Sequence, residues 1–275
     1  MDDAEISYGI HRGQWRTWTK TPAPPLAGVD YHGFVLHTGA PTTDQVFPGP
    51  KLTVILSFGD PLRMEQMPGR SAGGTYVSFV AGLHAEHGVI GHDGHQAGVQ
   101  VDLDPLVARA VFGMPPGELT GEVVPVAEVL GRFGDELAER LAGARGWSSR
   151  FALLDDVLAR RLHGAPRPAP EVAHAWRRLL AAGGAVRVDE LAGEVGWSRR
   201  HLGQRFQREF GLTPKAAARV VRFDRARWAL ARGGHGTLAD VAATYGYYDH
   251  AHLDREFRAL AGRPPTALGG LAATG

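Results

Sequence analysis

The chain has 275 residues, a formal net charge of +1 and no cysteine. Its length suggests two folding units. Its lack of cysteine removes disulfides, thiolate metal sites and cysteine nucleophiles, and leans towards a reducing, cytoplasmic setting. MDDAEISYGIHRGQWR at the N-terminus has no apolar signal core, and no run elsewhere approaches a membrane span, so a membrane partner is not expected.

The first hundred residues read as β-rich. LTVILSFG (52–59) is a buried-strand run, and TYVSFVAG (75–82) and AGVQVDLD (97–104) carry β-branched and aromatic residues between Gly and Pro punctuation. Many short strands of this kind suggest a small barrel or sandwich. The pattern turns helical after Pro105. PLVARAVFG (105–113) is closed by Gly113. GRFGDELAERLAGA (131–144) follows, then SSRFALLDDVLARRLHG (148–164), with Ser148 or Ser149 as its cap and Phe151, Leu154, Val157, Leu158 and Leu162 on one face. The helices at 131–163 either form an interface or complete the core of the first unit. HGAPRPAPE (163–171), with three prolines and a glycine, is the best linker, which divides the chain into 1–164 and 165–275.

Beyond the linker everything reads helical. Val172, Trp176, Leu179 and Leu180 make one stripe. VDELAGEVG (188–196) is a short helix ended by Gly196. Ser198 caps the next, with Leu202, Phe206 and Phe210 inward and Gly211 as its stop. A long helix runs from Pro214 to about Arg232. The phrase then repeats: a short helix carrying Leu238, Val241, Ala242 and Tyr245 ends at Gly246, Asp249 caps its successor, and Leu253, Phe257 and Leu260 form the stripe before Gly262. Each copy is a short helix, a glycine turn and a second helix, at about 188–210 and 237–261. That spacing fits a helix-turn-helix, whose second helix enters the DNA major groove.

Charge agrees with that placement. Residues 1–164 hold 13 basic and 19 acidic residues, a balance of −6; residues 165–275 hold 17 and 10, a balance of +7. The basic half suits a polyanion. Off the apolar stripe, the second helix of the first copy presents Arg199, Arg200, Gly203, Gln204 and Gln207; the other copy presents His250, Ala251, Asp254, Arg255 and Arg258. Arg can donate two bonds to guanine and Gln can pair with adenine, whereas an aspartate can accept from cytosine or simply hold the neighbouring Arg255.

LAGEVGWSRRHLGQRFQREFGLTP, VVRFDRARWAL and LADVAATYGYYDHAHLDREFRALAGRPPTAL, within about 170–268, resemble the DNA-binding domain of the AraC/XylS family of bacterial transcription regulators. The resemblance implies two recognition helices about one DNA turn apart on one face of the duplex. It implies base-contacting positions at Arg199, Arg200, Gly203 and Gln204, then at His250, Ala251, Asp254 and Arg255. Gly203 departs from the family's larger polar residue and cannot read a base edge. Arg200 and Gln204 are the better candidates, and Ala251 could touch only a thymine methyl. Double-stranded DNA is the implied partner; RNA polymerase, a small-molecule effector and a second copy of the chain are further partners the resemblance allows. GLHAEHGVIGHDGHQAGVQVDLDPLVARAVFGMPPGEL resembles the N-terminal region of actinobacterial AraC-type regulators.

The expected fold class is α+β: a β-rich N-terminal unit, cupin-like barrel or small sandwich, with trailing helices, then an all-α unit with two helix-turn-helix motifs joined by a long helix. No catalytic residue or cofactor is expected. Two rivals are a metal-dependent cupin-like enzyme fused to a DNA module and a protein-interaction bundle that keeps the helix-turn-helix shape. The first rests on His84, His87, His92 and His95, which with Glu86 and Asp93 could hold Zn²⁺ or Fe²⁺. Their spacing does not match the metal cupins, and HDGH reads more simply as a turn centred on Asp93-Gly94. Neither GHDG nor PGRSAGG carries the Lys-Ser/Thr of a phosphate-binding loop.

Overall fold

The apolar run at 52–57 lies inside a seven-stranded antiparallel sheet, where neighbours on both sides satisfy its backbone. The structure, a computed structural model, describes residues 4–10, 13–19, 26–67, 69, 73–233 and 236–268; part of the N-terminal MDDAEISYGIHRGQWR and of PGRSAGG lies outside them. The strands are β1 (Ala4–Ile10), β2 (Gly13–Thr19), β3 (Val29–His37), β4 (Thr42–Val46), β5 (Leu52–Ser57), β6 (Leu62–Gln66), β7 (Gly74–Tyr76), β8 (Phe79–Ala81), β9 (Gly88–His92), β10 (His95–Leu103) and β11 (Val123–Pro125). One sheet has the order β1-β2-β3-β10-β5-β8-β11 and the other β4-β9-β6-β7. Phe34, Ile55, Phe79 and Val123 from the first meet Leu62 and Met64 from the second in a small apolar cluster.

The other face of the large sheet is covered by helices: α1 (Pro105–Phe112), α2 (Val126–Leu130), α3 (Arg132–Gly143) and α4 (Trp147–Leu162). Phe151, Leu154, Val157 and Leu158 join Val54, Leu56, Val99 and Val101 in one buried cluster, so the helices at 131–163 complete the core of the sheet. Tyr31 anchors this packing, its ring 5.3 Å from that of Phe151 and its hydroxyl donating to Asp155 Oδ1 at 2.5 Å.

Two local expectations need correction. TYVSFVAG is not one strand: β7 belongs to the small sheet and β8 to the large one, the chain crossing at Val77–Ser78. There Ser78 Oγ accepts the Ser57 N–H at 3.0 Å, which fixes the crossing to the end of β5. Helix α4 is capped by neither Ser148 nor Ser149. It starts at Trp147, with Gly146 as N-cap at φ 80°. That start turns Trp147 onto Trp18, ring centroids 4.5 Å apart.

After the irregular 163–169 come α5 (Pro170–Ala181), α6 (Val188–Glu194), α7 (Arg199–Phe210), α8 (Pro214–Arg232), α9 (Leu238–Thr244) and α10 (His250–Ala261). The large cluster continues into Trp176 of α5, Leu191 and Ala192 of α6, Leu202, Phe206 and Phe210 of α7, and Val220 and Val221 of α8. A separate cluster joins Phe223, Ala226 and Leu230 of α8 to Val241, Tyr247, Leu253, Phe257 and Leu260. One helix therefore contributes to two cores, and both Phe206 and Phe257 are fully buried. Phe206→Ala and Phe257→Ala should each cost about 3–5 kcal/mol, the usual range for emptying a buried phenylalanine site; urea unfolding followed by circular dichroism checks this.

Candidate nucleic-acid interface

Each short helix meets its long partner through one glycine. Gly196 and Gly246 have φ +68° and +75°, the left-handed region that an L side chain resists. Behind each turn the buried Ala192 and Ala242 let the helices approach, and their carbonyls accept from Trp197 and Tyr247 N–H at 2.9 Å. The caps form as their residue types dictate. Ser198 Oγ accepts from His201 N–H at 3.2 Å, and Asp249 Oδ1 from His252 N–H at 2.6 Å. Helix α9 opens with a full capping box between Thr237 and Asp240.

Counted from their caps, α7 and α10 correspond position for position: Leu202 with Leu253, Phe206 with Phe257, Gly211 with Gly262. The turns differ. Gly196 lies two residues before its cap and Gly246 three, and the additional residue is Tyr248, 93% exposed. Its backbone N–H donates to His252 Nδ1 at 3.2 Å, while Tyr247 beside it is buried.

The candidate reading residues divide as follows. Arg200, Gln204 and Gln207 are all exposed, and at i, i+4 and i+7 they share one stripe of α7 away from Leu202, Phe206 and Phe210. Arg199 is exposed but leaves that stripe, its Nε 3.1 Å from Asp189 Oδ1 on α6. Gly203 is half-buried with open space beside it. On α10, His250 and Arg255 are exposed, and Ala251 and Asp254 are half-buried. Asp254 does not hold Arg255. Its Oδ2 accepts from Arg258 Nε at 2.8 Å, because i, i+4 residues face each other on a helix and i, i+1 residues do not.

Polar ties brace both pairs. Glu194 accepts from Arg178 Nε at 3.0 Å and lies 2.7 Å from His174 Nε2. Arg178 first, and then His174, hold its carboxyl below the usual range. Arg222 of α8 donates to the Gly184 carbonyl at 2.8 Å, before α6, and Arg219 of α8 donates to Glu256 of α10 at 2.7 Å. These ties were invisible in the sequence, where nothing sets α8 against Gly184 or Glu256.

The four histidines do not converge. His84 Nδ1 bonds to the Glu86 carbonyl, His87 lies against Gln66 and Gly262, His92 is buried 3.4 Å from Asp44, and His95 packs on His37. Among the described residues no three His, Cys, Asp or Glu side chains gather around one point. Asp93-Gly94 is a turn, joining β9 of one sheet to β10 of the other, with Asp93 paired to Arg63. Among the described residues no helix is long and apolar enough to cross a membrane.

Residues 191–269 match the family model described as a helix-turn-helix domain. No curated protein sequence matches the chain. Among solved structures, ToxT from Vibrio cholerae is similar with a TM-score of 0.50 at 9% identity, over 90% of this chain and 100% of that one. A transcriptional regulator with an AraC-type DNA-binding domain from Chromobacterium violaceum is 23% identical over 38% of this chain and 94% of that one, with a TM-score of 0.35. The AraC-like transcriptional activator CuxR is 14% identical over 78% of this chain and 81% of that one, also at 0.35. The chain thus combines an α+β fold like that of ToxT with a region, 191–269, that matches a helix-turn-helix domain.

The Asp240 carboxyl is held below its ordinary value, first by the Thr237 N–H and then by the Thr237 hydroxyl. A depressed folded-state value means that its contribution is present above the unfolded value and is lost as pH falls through the folded one. NMR titration should place Asp240 below an unbonded surface aspartate, and Thr237→Ala, which removes the hydroxyl but keeps the backbone N–H, should move it only part of the way up. Ser198→Ala should cost about 1 kcal/mol of stability, the typical worth of such a cap, measured by urea unfolding.

Proposed function

We propose that this protein is a sequence-specific transcription regulator that reads two neighbouring major-groove segments of one DNA duplex with α7 and α10. The observation that carries this is a pair of exposed polar stripes on two like-capped helices, both packed on α8. Arg200, Gln204 and Gln207 read the first segment; His250, Ala251 and Arg255 read the second, with Asp254 setting Arg258. Arg199 is a weaker reader, since its partner Asp189 competes for it. The N-termini of α7 and α10, with unpaired N–H groups, face the phosphates.

In this reading residues 165–275 are the DNA-binding unit and 1–164 the regulatory one. The two facing sheets make a small cupin-like barrel that responds to a small molecule or to a second copy of the chain. The place we assign such a molecule is an open groove of about 600 Å³ beside the barrel, between Ser57, Tyr76 and Val77 on one wall and Asp135, Ala138 and Glu139 of α3 on the other. Such a ligand acts only through different affinities for two arrangements of the chain. RNA polymerase is the partner on which a DNA-bound regulator of this kind acts, in the cytoplasm.

Selection of bound duplexes from a random pool tests the reading directly. The full chain should enrich one motif with two separated conserved segments; enrichment of none contradicts it. On that motif Arg200→Ala and Gln204→Ala should each weaken binding by about 1–3 kcal/mol while changing affinity for random DNA little. Affinity should also fall linearly with salt on logarithmic axes, with a slope of roughly −0.9 per neutralised phosphate; titration in increasing KCl measures it.

A further inference from the structure

The C-terminal ends of α7 and α10 are held by the sheet-bearing half of the chain. A helix leaves its last carbonyls without partners inside the helix and carries a partial negative charge at that end. At α7 the final residue is Phe210, and its carbonyl accepts from Thr120 Oγ at 3.0 Å. At α10 the final residue is Ala261, and its carbonyl accepts from Gln45 Nε2 at 2.7 Å. Thr120 lies between α1 and β11, and Gln45 lies on β4, the edge of the small sheet.

Each bond sits in a close contact. The 3-10 turn Pro116–Leu119 lies on the end of α7 so tightly that a Cβ at Gly117 would stand 2.7 Å from Gly211 N and 2.9 Å from the Arg208 carbonyl. Arg109 of α1 adds two bonds to Glu209, at 3.0 and 2.8 Å. At α10 the His87 ring packs against Gly262, within 2.6 Å of where a Cβ would be. The candidate reading residues run from the opposite, N-terminal ends as far as Gln207 on α7 and Arg255 on α10.

We propose that Thr120 and Gln45 are positioning residues for DNA recognition: each fixes one reading helix to a different part of the sheet-bearing half, so that this half sets their relative placement and the spacing of the two DNA segments they accept. The proposal rests on α7 and α10 being the DNA readers. It gives the regulatory half a mechanical route to the DNA in which these two side chains act beside the Arg109–Glu209 pair and the shared core, and a movement of β4 relative to the 116–120 segment changes what the protein binds.

The test uses the full chain. With no native cysteine, Arg205→Cys and Ala259→Cys, both at exposed positions, accept spin labels on α7 and α10. Without DNA, the parent should give a narrow label-to-label distance distribution. Thr120→Val with Gln45→Leu should broaden or shift it, whereas Thr120→Ser, which keeps the hydroxyl, should leave it unchanged. The single changes Thr120→Val and Gln45→Met should each give a smaller effect and serve if the double variant does not fold. In competition, the unlabelled parent should prefer its selected duplex over a copy with one base pair inserted between the segments, a rotation of about 35°. Each lost bond should reduce that preference roughly two- to tenfold, the range of one hydrogen bond's net worth. An unchanged distance distribution in these variants overturns the proposal with no reference to DNA. So does a broadened distribution with an unchanged spacing preference. A parent that retains no duplex instead overturns the reading of α7 and α10 as DNA readers, and with it this role for the two side chains.

Discussion

Helix α8 imposes the constraint on which the rest depends. Its first half gives Val220 and Val221 to the cluster that holds α7, and its second half gives Phe223, Ala226 and Leu230 to the cluster that holds α10. Because close-packed side chains interdigitate, neither α7 nor α10 can turn about its axis without disturbing that packing. The ties from Arg222 to the Gly184 carbonyl and from Arg219 to Glu256 act in the same sense, one towards each pair. Two stripes of polar side chains are thus presented by one stiff rod, about 28 Å long at 1.5 Å per residue.

The two pairs are not held alike by the rest of the chain. The core around α5–α7 is continuous with the core beneath the large sheet, from Leu26 and Tyr31 through Phe151 to Trp176 and Phe210. The core around α9–α10 stands apart, touched from the sheets mainly by Phe47 and Ala85. Phe47 lies 6.4 Å from Phe223 by ring centroid, with the Arg227 guanidinium over it at 5.5 Å. Helix α7 is built into the core of the N-terminal half, whereas α10 is attached to that half at fewer points.

Much of the helical half was legible in the sequence. The caps Ser198 and Asp249, the stops Gly211 and Gly262, the span of α8 and the buried stripes are local chemistry, and the structure places them as the residue types require. The sheets were legible only as a tendency. β1 to β4, β6 and β9 lack the long apolar run of β5, and the crossing at Val77–Ser78 depends on a partner twenty-one residues away. For the candidate interface, the faces of α7 and α10 follow from helical periodicity, but the pairing of Asp254 with Arg258 and of Arg199 with Asp189 depends on rotamers and neighbours. Tyr248 could have been found, since aligning the two copies from their caps exposes one additional residue in the second turn. Thr120 and Gln45 could not, because their bonds span 90 and 216 residues of chain.

The proposed engagement of one duplex by α7 and α10 together, from one side, is open to direct measurement. Hydroxyl-radical footprinting of the full chain on its selected duplex measures this at single-nucleotide resolution. Two protected patches should lie on the same face, their centres roughly 10 base pairs apart. A single patch of one half-site, or two patches on opposite faces of the helix, would contradict it.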